Sequence, residues 1–481
     1  MDEFVRLPKK GLPSDEILRE MDTFREHDAR WKEGKTWSLV YYLNEAHTDF
    51  LKQAYGKYFS ENALNPLAFQ SLKRFETEVV QMTASMLHGD REVVGTMTAG
   101  GTESVMLAVK AYRDRARARH KGLKQPEMIL PESAHVAFIK AAHYFDVKPV
   151  FVPLTKDFTV DPAEMEKRIN PRTALLVVSA PNYPYGTIDP VADVGRIALK
   201  HGLPLHVDAC LGGFLLPFLE KSGYAVPPFD FRVPGVTSIS ADVHKYGYAA
   251  KGASVILYKN MDYLKHQFFV YADWAGGVFA SSGLLGTRPG GSIAAAWAAM
   301  KVMGEEGYTE QARKAMDVTV RIKKGIEKIP ELDILGNPPA TVLRFVSNDR
   351  DVDIYAVGDV MEKYGWHIDR QLKPESLHIM VTPSHARVAD FYVRDLAEAI
   401  TYVRNHPNAR YDGGAALYGM IAAIPLRKMV HKNVLKMLED MYGSESVIPN
   451  FEEEQKPDLS TRLGTLYLKL RHALRKYIGK M

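Results

Sequence analysis

Residues 236–247 read VTSISADVHKYG, a short run typical of a buried strand, followed by a polar turn. Residues 236–240 contain Val236 and Ile239 and no charged side chain, which predicts a strand inside a sheet. Directly after this strand come His244, Lys245 and Gly247. A lysine at a strand end beside a histidine is a candidate for forming a Schiff base, because partial burial and nearby positive charge lower its pKa and free the amine. Without that context, a lysine is typical of a solvated surface.

The strand at 236–240 is one member of a longer alternation of apolar runs and helical patterns. Strands separated by helices at this spacing predict an α/β fold, in which a mostly parallel sheet carries helices on both faces. The predicted strands lie at 127–130, 147–153, 174–179, 204–207, 236–240 and 253–258, and the predicted helices at 103–119, 135–144, 161–169 and 190–201.

After about residue 310 the pattern changes to a smaller α+β domain. Helices are predicted at 310–328, 352–364 and 388–405, and strands at 340–346 and 377–381. We therefore divide the chain into an N-terminal arm (1–75), a large domain (76–305) and a small C-terminal domain (306–481). The arm is expected to wrap a neighbouring subunit, and a polar loop (441–460) is expected to precede a last basic helix (460–478).

A glycine-rich loop opens the first helix of the large domain. It reads TAGGTES at 98–104, and its residues Gly100, Gly101 and Thr102 lie where the helix begins. Two glycines allow a close backbone approach, and the free N–H groups of a helix N-terminus attract an anion such as a phosphate monoester. No Walker lysine follows the loop. A plain helix cap with a glycine turn is the alternative interpretation.

Asp208 ends the apolar strand of the segment LHVDAC at 205–210. Ligands of open α/β sheets bind at the carboxyl ends of the strands. In enzymes that use pyridoxal 5'-phosphate (PLP), such an aspartate keeps the pyridine nitrogen protonated so that the ring accepts electrons. A strand-end aspartate can also simply cap a turn. His135 follows another strand and can stack on the same ring.

The order of these features is more specific than any one of them. A phosphate loop, then Asp208, then Lys245 on a parallel sheet is the arrangement of the PLP-dependent aspartate-aminotransferase-like fold. The chain is therefore predicted to hold PLP, with Lys245 as its Schiff-base lysine. No metal site is predicted.

Composition excludes several other classes. The chain has 481 residues, 46% hydrophobic and 25% charged, with a net charge of +4. These values are typical of a folded protein of two domains and do not indicate a nucleic-acid partner. Cys210 is the only cysteine, so no internal disulfide is possible and a reducing compartment is expected. The charged N-terminus is no signal peptide, and no apolar run is long enough for a membrane span, so we expect a cytoplasmic protein.

Most of the chain, from about Tyr41 to Met420, resembles the sphingosine-1-phosphate lyase family. The resemblance is carried by TAGGTES at 98–104, TALLVVSAPNYPYGTIDP at 173–190, PLHVDACLGGF at 204–214, FDFRVPGVTSISADVHKYGYAAKGAS at 229–254, DWAGG at 273–277 and GTRPGG at 286–291. The stretch 229–254 is the most specific. Amino-acid decarboxylases share the fold and a His-Lys pair but not this stretch.

The resemblance implies an activity and an assembly. Members of this family are homodimers with PLP at a shared interface. They cleave the Cα–Cβ bond of sphingosine 1-phosphate by retro-aldol chemistry, which gives phosphoethanolamine and a fatty aldehyde. Eukaryotic members carry an N-terminal membrane helix, whereas this chain resembles the soluble bacterial members. Two alternatives stay open: a PLP-dependent amino-acid decarboxylase, and a catalytically silent relative with a binding or structural role.

The resemblance also implies roles for individual residues. Lys245 matches the Schiff-base lysine, Asp208 the pyridine partner and His135 the stacking histidine. Contacts with the cofactor phosphate are implied for Gly101, Thr102 and His244.

Further positions match contacts with the substrate. Lys251, Tyr41 and Thr287 match contacts with the substrate phosphate, with Thr287 donated by the other subunit. Tyr183 matches an active-site tyrosine. The base that removes the proton of the substrate C3 hydroxyl is left open among Lys251, Tyr183, His244 and the phosphate itself.

One loop departs from the family pattern. The segment ENALNP at 61–66 places Asn62 in a family loop and Asn65 where other members have a histidine near the substrate phosphate. Asparagine can donate a hydrogen bond but cannot carry charge. The affinity for phosphate, and its pH dependence, are expected to differ accordingly.

Overall fold

The large domain is built on a seven-stranded sheet. The computed structural model describes residues 6–423 and 427–443. The strands of this sheet are β1 (Val94–Thr98), β2 (Glu127–Pro131), β3 (Lys148–Val152), β4 (Thr173–Ser179), β5 (Leu205–Asp208), β6 (Val236–Ala241) and β7 (Ser254–Tyr258).

The strand order across this sheet is β1-β7-β6-β5-β4-β2-β3. Strands β3, β2, β4, β5 and β6 pair in parallel, whereas β7 is antiparallel to both β6 and β1. The predicted mostly parallel sheet is confirmed. Strand β1 was not predicted, because its sequence VGTMT mixes glycine and hydroxyl residues and gives little apolar signal.

Apolar side chains cover both faces of the sheet. Along β4, Leu176 and Val178 enter one apolar cluster, whereas Leu175 and Val177 enter the cluster on the opposite face. Successive side chains of a strand point to opposite faces, so a continuous apolar run is what a doubly covered strand requires. The covering helices are α3 (Gln70–Met86), α4 (Gly101–Arg119), α5 (Ala137–Phe145), α6 (Pro162–Lys167), α7 (Val191–His201), α8 (Leu216–Lys221) and α9 (Met261–Leu264).

The N-terminal segment contains α1 (Ser14–Phe24) and α2 (Glu45–Gly56). Helix α1 has no buried residue within this chain. Between the two helices, Trp37 is buried in the core of the small domain, where its ring lies 4.3 Å from that of His385 and 5.8 Å from that of Trp366. The segment is thus anchored on the small domain, and the predicted boundary at 75/76 falls inside α3.

The long helix α10 (Gly290–Ile326) connects the large domain to the small one. It is kinked at Gly304, whose φ of 56° and ψ of −178° suit only glycine. The predicted boundary at 305/306 lies next to this kink. A hairpin of β8 (Phe269–Tyr271) and β9 (Phe279–Ser281), which was not predicted, precedes the helix.

The small domain packs helices on a four-stranded antiparallel sheet with the order β10-β11-β13-β12. The predicted α+β architecture is confirmed, although β10 and β12 were missed. The polar loop was predicted at 441–460, but residues 441 and 442 end a helix, and 444–460 lie outside the described residues, as does the last basic helix. The elements are β10 (Leu332–Ile334), β11 (Val342–Ser347), α11 (Ile354–Lys363), β12 (Asp369–Leu372), β13 (Glu375–Met380), α12 (Ala389–Asn405), α13 (Gly413–Ala423) and α14 (Arg427–Tyr442).

Candidate active site

A cleft of about 730 Å³ opens where the carboxyl ends of β4, β5 and β6 meet the small domain. The loop before α4 forms one wall, and β12 with the end of β13 forms another. Ligands of open α/β sheets bind at this edge. Nine residues predicted for the site line the cleft: Tyr41, Gly100, Gly101, Thr102, His135, Tyr183, Asp208, His244 and Lys245, together with Lys251 at the mouth.

The glycine-rich loop presents an uncapped helix end to this cleft. No side chain caps the first turn of α4. The conformation of the loop is fixed by Glu103, whose carboxylate accepts the Ala99 N–H at 2.7 Å. A Cβ on Gly101 would come within 2.8 Å of both the Asp242 carboxylate and the Cys210 sulfur, so only glycine fits there. The free N–H groups and the helix dipole suit a phosphate, as the sequence predicted.

Lys245 is tied to an acid that the sequence analysis did not single out. Its Nζ lies 2.9 Å from Oδ2 of the buried Asp242. Burial lowers the pKa of Lys245, but the charge of Asp242 outweighs burial and holds that pKa above its usual range. The expectation of a lowered pKa was wrong for this state of the chain, because an ion pair three residues away dominates.

Asp208 ends β5 and lines the cleft. Its Oδ1 accepts the Cys210 N–H at 3.1 Å and the Ser240 hydroxyl at 3.3 Å. Within residues 6–423 and 427–443, no group donates to its Oδ2, which leaves that oxygen for a ligand. Behind it, burial lowers the pKa of His206 to about 4, so the imidazole is neutral.

The two histidines of the prediction both line the cleft. His135 lies in the loop after β2. Its Nδ1 accepts the Ala137 N–H at 3.2 Å, and this hydrogen bond orients the ring. His244 accepts the Ala253 N–H on Nδ1 at 3.3 Å. Burial lowers the pKa of His244 to about 4, so this side chain is neutral at physiological pH.

A second group of residues lies towards the mouth of the cleft. The Lys251 ammonium is 5.3 Å from the centre of the Tyr41 ring. Burial, and then the positive charge of Lys245, lower the pKa of Lys251 to about 8. Burial, and then the charge of Asp369, raise the pKa of Tyr183, so its hydroxyl stays protonated.

Three predicted residues lie outside this cleft. Asn62 and Thr287 contact each other, with 3.4 Å between Nδ2 and Oγ1, and Asn65 is exposed nearby. The Asn65 Oδ1 accepts the N–H groups of Leu67 and Ala68 at 3.0 and 3.2 Å. These three residues therefore form one surface loop cluster, which lies away from the Lys245 of the same chain.

The lining residues that were not predicted include the polar side chains of Ser38, Asp242 and Asp369. A signal for Asp242 existed, because it lies three residues before Lys245 and directly after β6. No local signal existed for Asp369, which reaches the cleft from an edge strand of the small domain.

Comparison with known proteins places this geometry in a family. Residues 30–346 match the pyridoxal-dependent decarboxylase conserved domain. Over 449 residues, 45% are identical to sphingosine-1-phosphate lyase 1 of Rattus norvegicus, which covers 93% of this chain and 78% of the rat protein. The chain belongs to the sphingosine-1-phosphate lyase family.

Solved structures agree with this family membership. A sphingosine-1-phosphate lyase of Burkholderia pseudomallei superimposes with a TM-score of 0.82 at 38% identity and covers 91% of this chain and 97% of that chain. A glutamate decarboxylase of Lactobacillus brevis has a TM-score of 0.73 at 21% identity, covering 83% and 95%. The second likeness concerns the fold alone, so the decarboxylase alternative has only the support of the broader family.

The cofactor of this sphingosine-1-phosphate lyase family member is PLP, and the cleft fits it. The uncapped start of α4 at Gly101 suits the phosphate, and Oδ2 of Asp208 suits a protonated ring nitrogen. Oδ1 of Asp242 is buried and has no hydrogen-bond partner among the described residues. A buried polar atom without a partner is typical of a site that a ligand completes.

Proposed function

We propose that this chain cleaves the Cα–Cβ bond of sphingosine 1-phosphate, or a related phosphorylated long-chain base, into phosphoethanolamine and a fatty aldehyde. The observation that carries the proposal is the presence, in one cleft, of two regions whose chemistry suits an anion. One is the start of α4 beside Lys245, and the other is Lys251 with Tyr41 at the mouth. A phosphorylated cofactor and a phosphorylated substrate together need two such regions.

In this proposal the residues around Lys245 hold the cofactor. Lys245 would bind it covalently, and Asp208 would accept a hydrogen bond from its protonated ring nitrogen. His135 would stack on its ring, and Gly101 with Thr102 would donate to its phosphate. Bound PLP supplies an electron sink for the bond that breaks. His244 is neutral, so its role is a hydrogen bond rather than a charge.

The same geometry narrows the choice of a proton acceptor. His244 is a weak base because its pKa is lowered to about 4. The raised pKa of Tyr183 keeps its hydroxyl protonated, so this group can exchange hydrogen bonds with the substrate but does not act as a base. The pKa of Lys251, about 8, leaves it mostly an ammonium at neutral pH. We therefore assign Lys251 to binding the substrate phosphate. Of the three side chains, Tyr183 is then the one placed nearest the reacting hydroxyl in this proposal.

A homodimer with a shared site is part of the proposal. The β8–β9 hairpin exposes apolar side chains, with Phe269 53%, Val270 64%, Trp274 57% and Val278 72% exposed. A patch of this kind is typical of an interface. The loop cluster of Asn62, Asn65 and Thr287 lies outside the chain's own cleft, which supports its contribution to the site of a partner subunit.

Product analysis tests the proposed function. Purified protein with added PLP is incubated with sphingosine 1-phosphate and, separately, with aromatic and acidic amino acids. We expect a fatty aldehyde and phosphoethanolamine from the first incubation and no carbon dioxide from the others. Release of carbon dioxide without aldehyde would assign the chain to the decarboxylases instead. No product from any of these compounds, despite bound PLP, would support a catalytically silent relative.

The pKa of Lys251 predicts an alkaline limit to substrate capture. Because the ammonium binds the phosphate, kcat/KM should fall about tenfold per pH unit above pH 8, where the free enzyme loses this proton. Lys251→Arg should keep the charge and remove this limb, since arginine stays protonated. The measurement is kcat/KM against pH for both proteins. A value that instead rises through pH 8 would make Lys251 the base.

Replacing Asn65 by histidine is expected to strengthen substrate binding most at low pH. An imidazolium adds charge near the phosphate, so KM should fall several-fold at pH 6 and less at pH 8. The change also removes the Asn65 turn contacts, at about 0.5–1 kcal/mol of stability. Asn65→Ala separates the two effects because it loses only the turn. Equal KM values for Asn65→His and the unchanged protein would exclude a contact with phosphate.

A further inference from the structure

Asp369 begins β12 on the edge of the small-domain sheet, and its side chain lines the cleft. Its two oxygens have separate partners. Oδ2 accepts the Tyr183 hydroxyl at 3.3 Å, and Oδ1 accepts the Ser38 hydroxyl at 3.2 Å. The carboxylate therefore joins the N-terminal segment, the large domain and the small domain at one point of the cleft wall.

The Tyr183 ring is also fixed on its other side. His378, fully buried, lies with its ring centre 4.7 Å from that of Tyr183 and its Nε2 2.9 Å from the Tyr183 carbonyl oxygen. A carbonyl only accepts, so Nε2 carries a proton and donates it. The Nδ1 of His378 faces Asp369 at 3.7 Å. Both neighbours thus hold the tyrosine in a single orientation.

Asp369 stays ionised in this setting. Burial raises its pKa, but the neighbouring His378 and then the Ser38 hydroxyl outweigh burial and leave the pKa below its usual value. An ionised carboxylate only accepts hydrogen bonds. The one proton of the Tyr183 hydroxyl is therefore directed to Asp369, and the lone pairs of that oxygen are left for another donor.

We propose that Asp369 is a positioning residue for the lyase reaction. It orients the Tyr183 hydroxyl so that the tyrosine oxygen accepts a hydrogen bond from the substrate hydroxyl group beside the bond that breaks. This inference rests on the proposed function. The negative charge behind the tyrosine also strengthens its oxygen as an acceptor, since hydrogen bonds in a chain polarise one another. Asp369 acts through Tyr183 and does not itself need to touch the substrate.

A double-mutant cycle on the enzyme saturated with PLP tests this role. Asp369→Ala should lower kcat about tenfold to 100-fold, with KM changed less than about threefold, as expected for losing a charged hydrogen bond. Asp369→Asn keeps an acceptor without the charge and should fall between. In a Tyr183→Phe background, Asp369→Ala should cost no further kcat, because the group it orients is gone.

A matched control separates positioning from folding. Asp395 belongs to the same domain and accepts the Trp366 indole N–H at 2.9 Å, outside the cleft. Asp395→Ala should lower the thermal midpoint and leave kcat unchanged. Equal losses of kcat for Asp369→Ala in the two backgrounds, with and without Tyr183, would overturn the inference. So would an unchanged kcat in Asp369→Ala.

A second double-mutant cycle, which measures the free energy of unfolding, separates a failure of this inference from a failure of the proposed function. Urea unfolding of the same single and double variants without substrate should show coupling between Asp369 and Tyr183. If the unchanged enzyme releases no aldehyde, the proposed function fails and the role of Asp369 in that reaction fails with it. The stability cycle then still shows whether Asp369 holds Tyr183. Additive stability losses would contradict the hydrogen bond itself.

Discussion

Lys245→Ala is expected to lower the turnover of sphingosine 1-phosphate by on the order of 10⁴-fold or more, because Lys245 is the amine assigned to bind the cofactor covalently. The reason is geometric. Lys245 follows β6, and its Nζ lies 2.9 Å from Asp242, beside the uncapped start of α4. The measurement is aldehyde release at saturating PLP, together with the visible absorbance of the lysine-bound cofactor, which should vanish.

Chemical trapping makes this prediction sharper. Reduction of the PLP-loaded enzyme with borohydride should attach the cofactor to the peptide that contains Lys245, as read by mass spectrometry. Lys251→Ala is the matched control, since it removes a lysine from the same cleft and should keep the attachment at Lys245. Cofactor found on another lysine, or a visible band retained in Lys245→Ala, would contradict the assignment.

The parallel strands of the large domain could be predicted because burial on both faces demands continuous apolar runs. The run at 173–179 is a clear case, since all its residues are buried. The strands that were missed lie where this rule does not apply. Strand β12 reads DRQL and is half-buried at a sheet edge, and β8 is exposed within this chain. Their conformation is set by pairing with neighbours, not by local pattern.

The candidate site divides in the same way. Lys245, Asp208 and the loop at 98–104 each follow or precede a recognisable element, so their meeting at one sheet edge could be predicted. The hydrogen bond between Ser38 and Asp369 joins positions 331 residues apart, and no local sequence pattern predicts it. The raised pKa of Lys245 could not be predicted from the sequence either, because it depends on the direction in which the Asp242 carboxylate points.

Asp208→Asn is expected to lower kcat about 10²–10³-fold, with the cofactor still bound. The ring nitrogen stays protonated only if its partner carries a negative charge, and a neutral amide cannot supply one. The substitution keeps the shape of the side chain and an acceptor for the Cys210 N–H and the Ser240 hydroxyl. Loss of charge, not loss of packing, is therefore what the measurement reports.

The surroundings of Asp208 explain why its charge is available to the cofactor. The ring of His206, on the same strand, is neutral because burial lowers its pKa to about 4, so it adds no positive charge beside the carboxylate. Turnover is measured at saturating PLP, with absorbance to confirm that the cofactor is retained. Asp333→Asn, at an exposed position of β10, is the control and should leave kcat unchanged. If excess PLP restores full turnover to Asp208→Asn, the carboxylate contributes only to cofactor binding, and the electronic role assigned to it is wrong.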